Sequence, residues 1–353
     1  MEEALDQSEG RKVLASYGLL PRGSEVSYRS EVPIVSQLGT HGGDEPLVSV
    51  VIPVRNEGER LRAAIDSIVN HRSSRFPLQV VVVDDCSSDG CCTSLREMRF
   101  RPDDEVDVLV IRLPRWFGVP YARNVGALTS RASILFITDA NVLFPPHWDV
   151  PIRNRIGPNR VLCTTIADQG SSFRAYGGML HFPSMGFNWL GDPAVFGGYA
   201  PLAPCAGTIL PRELFRGLGG YDTGMPVYGA AEPEFSVRLW LSGAEIVHAP
   251  ELVLMHWFRP SIERHPFLDT IRLIQVHNYL RFGLMYLDRH NFSRVVEHYT
   301  AAAPEFTRQA LQRVLAGDVW RRREALWRTL PLRFEAFLRR FGFVDAKGRF
   351  RCG

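Results

Sequence analysis

The sequence is short of lysine, of patterned cysteine and of long apolar runs. Lys12 and Lys347 are the only lysines in an otherwise all-arginine basic set. The six cysteines (Cys86, Cys91, Cys92, Cys163, Cys205, Cys352) form no C-x-x-C pair and no zinc-ligand spacing. Reduced thiols are therefore expected, rather than a disulfide framework. No apolar stretch reaches the roughly 18 residues of a membrane span. The acidic start, Met1-Glu2-Glu3, lacks the basic-then-apolar order of a secretion signal, so a cytoplasmic protein is expected. The net charge of +3 is too small to imply a nucleic-acid partner. The 30 Gly and 24 Pro follow no repeat period, which excludes collagen-like and low-complexity chains.

What remains is a globular composition: 353 residues, 45% hydrophobic and 22% charged. At roughly 150 residues per domain, this is about two domains, or one large one with attachments. Residues 1–46 lack sustained periodicity and read as a leader and linker. Regular patterning begins at Val48-Ser-Val-Val-Ile52, a buried-strand run ended by Pro53. Gly58 to Asn70 has helical spacing, Leu78 to Val83 and Asp107 to Ile111 read as strands, Val119 to Thr129 as a helix, and Ile134 to Thr138 as a fourth strand. This alternation predicts an α/β fold with a mainly parallel sheet and helices on both faces.

Such sheets bind ligands beyond the carboxyl ends of their strands. Arg55, Asn56 and Glu57 follow the first strand, Asp84 and Asp85 the second, and Asp139, Ala140 and Asn141 the fourth. Three strand ends thus deliver polar groups to one rim. Asp139 and Asn141, one small residue apart, suit a hard divalent cation, Mg²⁺ or Mn²⁺; a carboxylate there also suits a cap. Asp84 and Asp85 read either as nucleoside acceptors or as the start of a turn. Arg123 sits early in a Gly-flanked helix, where it can reach a diphosphate or solvent. Glu232 and Glu234 fall in the first turn of a helix expected over Ala231 to Leu241, as dipole partners or as a general base. His256 ends an apolar run, as a ligand or as a packed core residue.

The stretch from Gly170 to Pro204 reads as a loop-rich wall. Its aromatics Phe187, Trp189 and Tyr199 either stack on an acceptor or fill the core. A short helix is expected over Pro211 to Gly217, two short strands over Glu245 to His248 and Leu252 to Met255, and helices from about residue 260 onward. Residues 311–353 hold ten Arg and one Lys against four acids. Within them Trp320, Leu326, Trp327, Leu330, Phe334, Phe337, Leu338 and Phe341 recur near helical spacing. This stripe either packs against the catalytic domain or lies on an anionic membrane or acidic partner.

In this order the motifs resemble those of family 2 nucleotide-sugar glycosyltransferases, which have a GT-A (Rossmann-like) fold. Val48-Ser-Val-Val-Ile-Pro-Val-Arg-Asn-Glu57 is similar to their opening, Val81-Val-Val-Asp-Asp85 to their nucleoside-binding strand end, and Ala122-Arg-Asn-Val-Gly126 to their A-R-N-x-G helix. Thr138-Asp-Ala-Asn141 stands where they carry D-x-D. Gly219-Gly-Tyr-Asp222 with Glu232-Pro-Glu-Phe-Ser-Val-Arg238 resembles G-G-F-D and E-D-x-D-L-S-x-R. His256-Trp-Phe-Arg259 resembles the H-x-F-R segment of polypeptide N-acetylgalactosaminyltransferases.

The resemblance spans residues 47–260 as a catalytic domain and leaves 261–353 as a helical, basic extension. It implies a metal-dependent transferase that moves a sugar from a nucleoside-diphosphate sugar, a UDP-sugar, to an acceptor hydroxyl on a glycan, peptide, lipid or natural product. Pro53, Arg55 and Glu57 would line the nucleoside pocket, with Asp84 and Asp85 at the base. Arg123 would lie by the nucleotide, and Asp139, Asn141 and His256 at the Mn²⁺ or Mg²⁺. Glu232 would be the base of an inverting reaction, with Glu234 and Arg238 beside the substrate. Two positions depart from the pattern: Asn141 replaces the second acid of D-x-D, and Ala231 the first acid of E-D-x-D. They leave open a degenerate relative that binds nucleotide as a partner or regulator. A nucleotidyltransferase is disfavoured, because no Gly-rich, Arg- and Lys-bearing phosphate loop follows the first strand.

Overall fold

The computed structural model describes residues 34–39, 45–101, 104–345 and 350. The chain divides into two compact units, Met1–Val150 and Pro151–Gly353. The boundary falls inside the span expected to be one catalytic domain, and the C-terminal helices belong to the second unit.

The first unit contains β1 (Ile34–Gly39), β2 (Val48–Val54), α1 (Arg60–Asn70), β3 (Leu78–Asp84), β4 (Val106–Arg112), α2 (Val119–Thr129) and β5 (Ile134–Ile137). Strands β4, β3, β2 and β5 pair in parallel in that order, and β1 pairs antiparallel to β4. Every residue of β2 and β3 is buried, as suits strands rich in Val and Ile and covered on both faces. Helix α1 buries Leu61, Ala64, Ile65, Ile68 and Val69, each large side chain contributing roughly 1.5–3 kcal/mol. Helix α2 lies close on the sheet: a Cβ on Gly126 would stand 2.5 Å from Val51 Cγ1. That approach explains the glycine of Ala-Arg-Asn-Val-Gly.

Strand β1 lies in the span read from sequence as leader and linker. Residues 1–33 and 40–44 of that span, and Cys352, fall outside the described residues. The other five cysteines are free thiols.

The second unit is built around β6 (Arg160–Asp168), a strand the sequence reading passed over. After it come β7 (Arg174–Ala175), β8 (Gly178–His181), β9 (Gly186–Trp189), β10 (Thr208–Pro211), α3 (Arg212–Gly217), α4 (Ala231–Leu241) and β11 (Glu245–His256). Strand β6 pairs in parallel with β11 and antiparallel with β10 and β7, while β8 and β9 form a hairpin. The two short strands expected over 245–255 are one strand with a register shift between Ala249 and Val253. Pro250, which lacks an N–H for the ladder, sits in the shift.

The helices α5 (Ser261–Thr270), α6 (Arg272–Tyr286), α7 (Arg289–Ala302), α8 (Pro304–Ala316), α9 (Val319–Thr329) and α10 (Phe334–Arg340) complete this unit. Leu326, Leu330, Phe334, Phe337, Leu338 and Phe341 are buried, so most of the C-terminal apolar stripe packs within the unit. Leu332 N–H donates to Leu241 O at 3.1 Å and fixes the chain onto α4.

Candidate active site

In the first unit the carboxyl ends of the parallel strands form a dense polar network. Arg55, just past β2, donates through one nitrogen to Asp85 O at 2.7 Å and Cys86 O at 2.8 Å. Its guanidinium lies 4.7 Å from the centre of the Trp116 ring. Asn56 N–H donates to Ser87 Oγ at 3.1 Å, and Gly58 N–H to Asp89 Oδ2 at 2.9 Å. The loops after β2 and β3 are thus tied together, and Arg55 and Glu57 stand half-buried at their surface. Pro53 is buried within β2.

Asp84 and Asp85 do not present open carboxylates. Asp84 accepts from Ser87 N–H at 2.7 Å and from the Arg112 guanidinium, and it is 1% exposed. Asp85 accepts from Phe117 N–H at 2.8 Å and Gly118 N–H at 2.7 Å. Burial raises the Asp85 pKa, and these two N–H groups oppose the rise. Asp85 therefore shapes the entry to α2. This corrects its expected place at the base. Two acceptor positions of the roughly four on Asp84 are engaged within the protein.

Arg123 is also reassigned. Its guanidinium is buried, and Nη2 donates to Asp139 Oδ1 at 2.7 Å. It holds the carboxylate instead of pointing at solvent. Asp139 keeps 22% of its side chain exposed, which leaves it reachable by a ligand. Asp139 and Asn141 are half-buried while Ala140 between them is buried, so both polar side chains turn away from the core.

In the second unit His256 ends β11, in register with Asp168 at the end of β6. Gln169 N–H donates to His256 O at 3.1 Å, and the His256 ring lies 4.2 Å from that of Phe258. Phe258 meets Phe173 at 5.5 Å and Trp189 at 6.2 Å, and Phe187 meets Trp189 at 5.0 Å. An aromatic cluster therefore adjoins His256, with Trp189 38% exposed. Tyr199 is not part of it: it packs 6.0 Å from Trp240 and 4.9 Å from the Arg340 guanidinium. Sequence reading missed Asp168 because it missed β6. The signal was partial: Asp168-Gln-Gly follows Val161-Leu-Cys-Thr-Thr-Ile-Ala167, an apolar run interrupted by two threonines.

Helix α4 separates its acids. Glu234 is fully buried and accepts from Arg238 Nε at 2.9 Å, Arg238 Nη2 at 2.6 Å and Tyr286 Oη at 2.7 Å. Arg238 also donates to Leu218 O and Gly220 O, each at 2.7 Å. Glu234 and Arg238 hold the Gly219-Gly-Tyr-Asp222 turn to the helix. Their burial corrects the expectation that they touch substrate. Asp222 accepts from Arg281 at 2.9 Å. Burial opposes its ionisation, but Arg281 outweighs this and lowers the pKa.

Glu232, half-buried, sits about 200° around the helix from Glu234. The loop before it is strained: Val227 has φ 64°, a left-handed value that β-branched residues avoid, and Ala230 has φ 65°. One Asn278 amide nitrogen clamps that loop, donating to Pro226 O at 2.8 Å, Tyr228 O at 3.1 Å and Gly229 O at 3.2 Å. Neither the clamp nor the Arg281–Asp222 pair is signalled by a local motif.

Among the described residues, no three His, Cys, Asp or Glu side chains gather as a metal cluster. The half-buried oxygen donors Asp139 and Asn141 suit a hard cation whose remaining positions phosphate oxygens and water would fill.

Comparison with known proteins defines the class. The family model for glycosyl transferase family 2 matches residues 49–217. Over that span the chain is similar to glycosyltransferase family 2, and its fold is of the GT-A type. Its curated relatives are polypeptide N-acetylgalactosaminyltransferases. Probable polypeptide N-acetylgalactosaminyltransferase 8 of Homo sapiens is 26% identical over 277 residues, 71% of this chain and 42% of that protein. Polypeptide N-acetylgalactosaminyltransferase 8 of Drosophila melanogaster is 30% identical over 238 residues, 61% of this chain and 38% of that protein. The chain thus spans under half the length of either relative. Among solved structures, GalNAc-T7 with UDP, GalNAc and Mn2+ aligns at TM-score 0.65 and 20% identity, covering 84% of this chain and 57% of the other. The mannosyltransferase PcManGT from Pyrobaculum calidifontis, in complex with GDP-Man and Mn2+, aligns at 0.52 and 16%, covering 96% and 98%.

Proposed function

We propose that this protein is a metal-dependent glycosyltransferase that moves a sugar from a UDP-sugar to a hydroxyl of a peptide acceptor. The observation that carries the reading is the Arg123–Asp139 pair beyond the end of β5, where a buried guanidinium holds a half-buried carboxylate. UDP and a peptide acceptor are favoured by the relatives, named as polypeptide transferases, and by the UDP-bound neighbour.

In this reading Asp139 and Asn141 of the first unit would hold Mn²⁺ or Mg²⁺, Asn141 through its carbonyl, and His256 of the second unit is the further ligand that the family resemblance implies. When bound, the cation neutralises charge on the departing diphosphate. Arg123 fixes the Asp139 carboxylate before substrate arrives, so little reorganisation is needed. Arg55 and Glu57 border the nucleoside pocket, and buried Asp84 holds the loop beneath it through Ser87 N–H and Arg112. Glu232 takes the proton of the attacking hydroxyl, and the face of Trp189 supports the acceptor chain. The protein works in the cytoplasm.

A thermal-shift screen of nucleoside diphosphates and their sugars, with and without Mn²⁺, tests the donor. UDP compounds should raise Tm, and more so with metal. Transfer from the donor so found to Ser- and Thr-containing peptides then reads activity. Asp139→Ala should abolish it and Asn141→Asp retain it; an active Asp139→Ala enzyme sinks the metal assignment. NMR of the product reads the linkage: inverted anomeric configuration supports Glu232 as base, and retained configuration removes it from that role.

A further inference from the structure

The C-terminal stripe of apolar residues divides. Six of its side chains pack inward, but Trp320 and Trp327 are 53% and 46% exposed. They stand seven residues apart on α9, so they share one line of the helix. Arg321 and Arg328 form a parallel line one residue on, with side chains 83% and 76% exposed. The Trp327 ring lies 5.1 Å from the Arg333 guanidinium, and Leu332, 44% exposed, shares a shallow notch with it. The acids nearby are already matched. Glu324 accepts from Arg328 at 2.5 Å, and Asp318 from Arg281 at 2.8 Å. Residues 311–353 carry a net +7 in a chain of +3, so the remainder is net negative.

Folding leaves this surface two exposed indoles beside exposed arginines; Arg321 lies 3.9 Å from Asp318 and Arg328 2.5 Å from Glu324, and the segment as a whole keeps its net positive charge. Indole rings favour the headgroup level of a bilayer, and arginine stems lie along apolar surface while their heads meet phosphate. We propose that the exposed face of α9 docks on an anionic lipid bilayer. Trp320, Trp327 and Leu332 enter the headgroup region, and Arg321, Arg328 and Arg333 bind lipid phosphates. The contact is peripheral: among the described residues no helix is long and apolar enough to cross a membrane. Charge complementarity selects the anionic bilayer over a neutral one. The inference is independent of the transferase reading.

Co-sedimentation of the full-length protein tests it, using vesicles of phosphatidylglycerol in phosphatidylcholine against pure phosphatidylcholine. Intrinsic tryptophan fluorescence gives a second readout. The expected result is binding to the anionic vesicles alone, a blue shift on binding, and release by salt. Arg321→Gln/Arg328→Gln should weaken binding about fivefold per arginine. Trp320→Ser/Trp327→Ser should abolish the blue shift with the folded Tm intact. Equal binding to both vesicle types, no binding to either, or full binding by both variants overturns the proposal. So does a vesicle-free dimer that Trp320→Ser/Trp327→Ser dissociates, because the face would then be an interface between copies of the chain.

Discussion

Glu234 and Glu232 show how burial assigns roles within one helix turn. Glu234 faces three donors inside the second unit and supports structure, while Glu232 keeps access to solvent. Removing one partner of a buried ion pair strands the other charge, so Glu234→Ala should lower unfolding free energy by roughly 3–5 kcal/mol in urea melts. A loss under 1 kcal/mol contradicts the structural role. His248 adds a pH dependence. It is 3% exposed, and burial lowers its pKa to about 4. Its folded pKa lies below the unfolded value, so its contribution is whole above about pH 6.5 and is lost as pH falls toward 4, by at most about 3 kcal/mol. His248→Gln should flatten the fall of Tm between these limits; an unchanged acid limb contradicts it.

At the scale of elements, the loop before α4 is held against its own backbone preference. Positive φ at Val227 and Ala230 persists because Asn278 on α6 bonds three carbonyls of that loop. Asn278→Ala should let the loop relax and misplace Glu232, lowering kcat roughly tenfold or more with far less effect on donor KM. A variant with wild-type kcat rules this out. The same elements show what sequence reveals. The parallel strands of the first unit were legible because full burial favours runs rich in Val and Ile, and α2 and α4 matched residue for residue. Strand β6 was missed because Thr164 and Thr165 interrupt its apolar run and no recognised motif marks its end. The bulge at Pro250 looked like a break between strands. At the site, strand-end position pointed to Asp139, while the pairing of Arg123 with it was not expected. The partners of Asp84, Asp85 and Asp222 were not legible either, since the Arg112–Asp84, Asp85–Gly118 and Arg281–Asp222 contacts join residues 28, 33 and 59 apart. Burial, which removed Glu234 and Arg238 from the substrate, is likewise a property of the packed chain.

For the whole molecule, the central claim is that a carboxylate held by a buried arginine makes nucleotide binding depend on metal. The direct measurement is calorimetric titration of UDP into the full-length protein, with and without Mn²⁺, for wild type and Asp139→Ala. Mn²⁺ should tighten UDP binding at least tenfold in the wild type, about 1.4 kcal/mol, and Asp139→Ala should lose this gain while remaining folded. UDP affinity indifferent to Mn²⁺ in the wild type, or an equal gain in the folded variant, would contradict it.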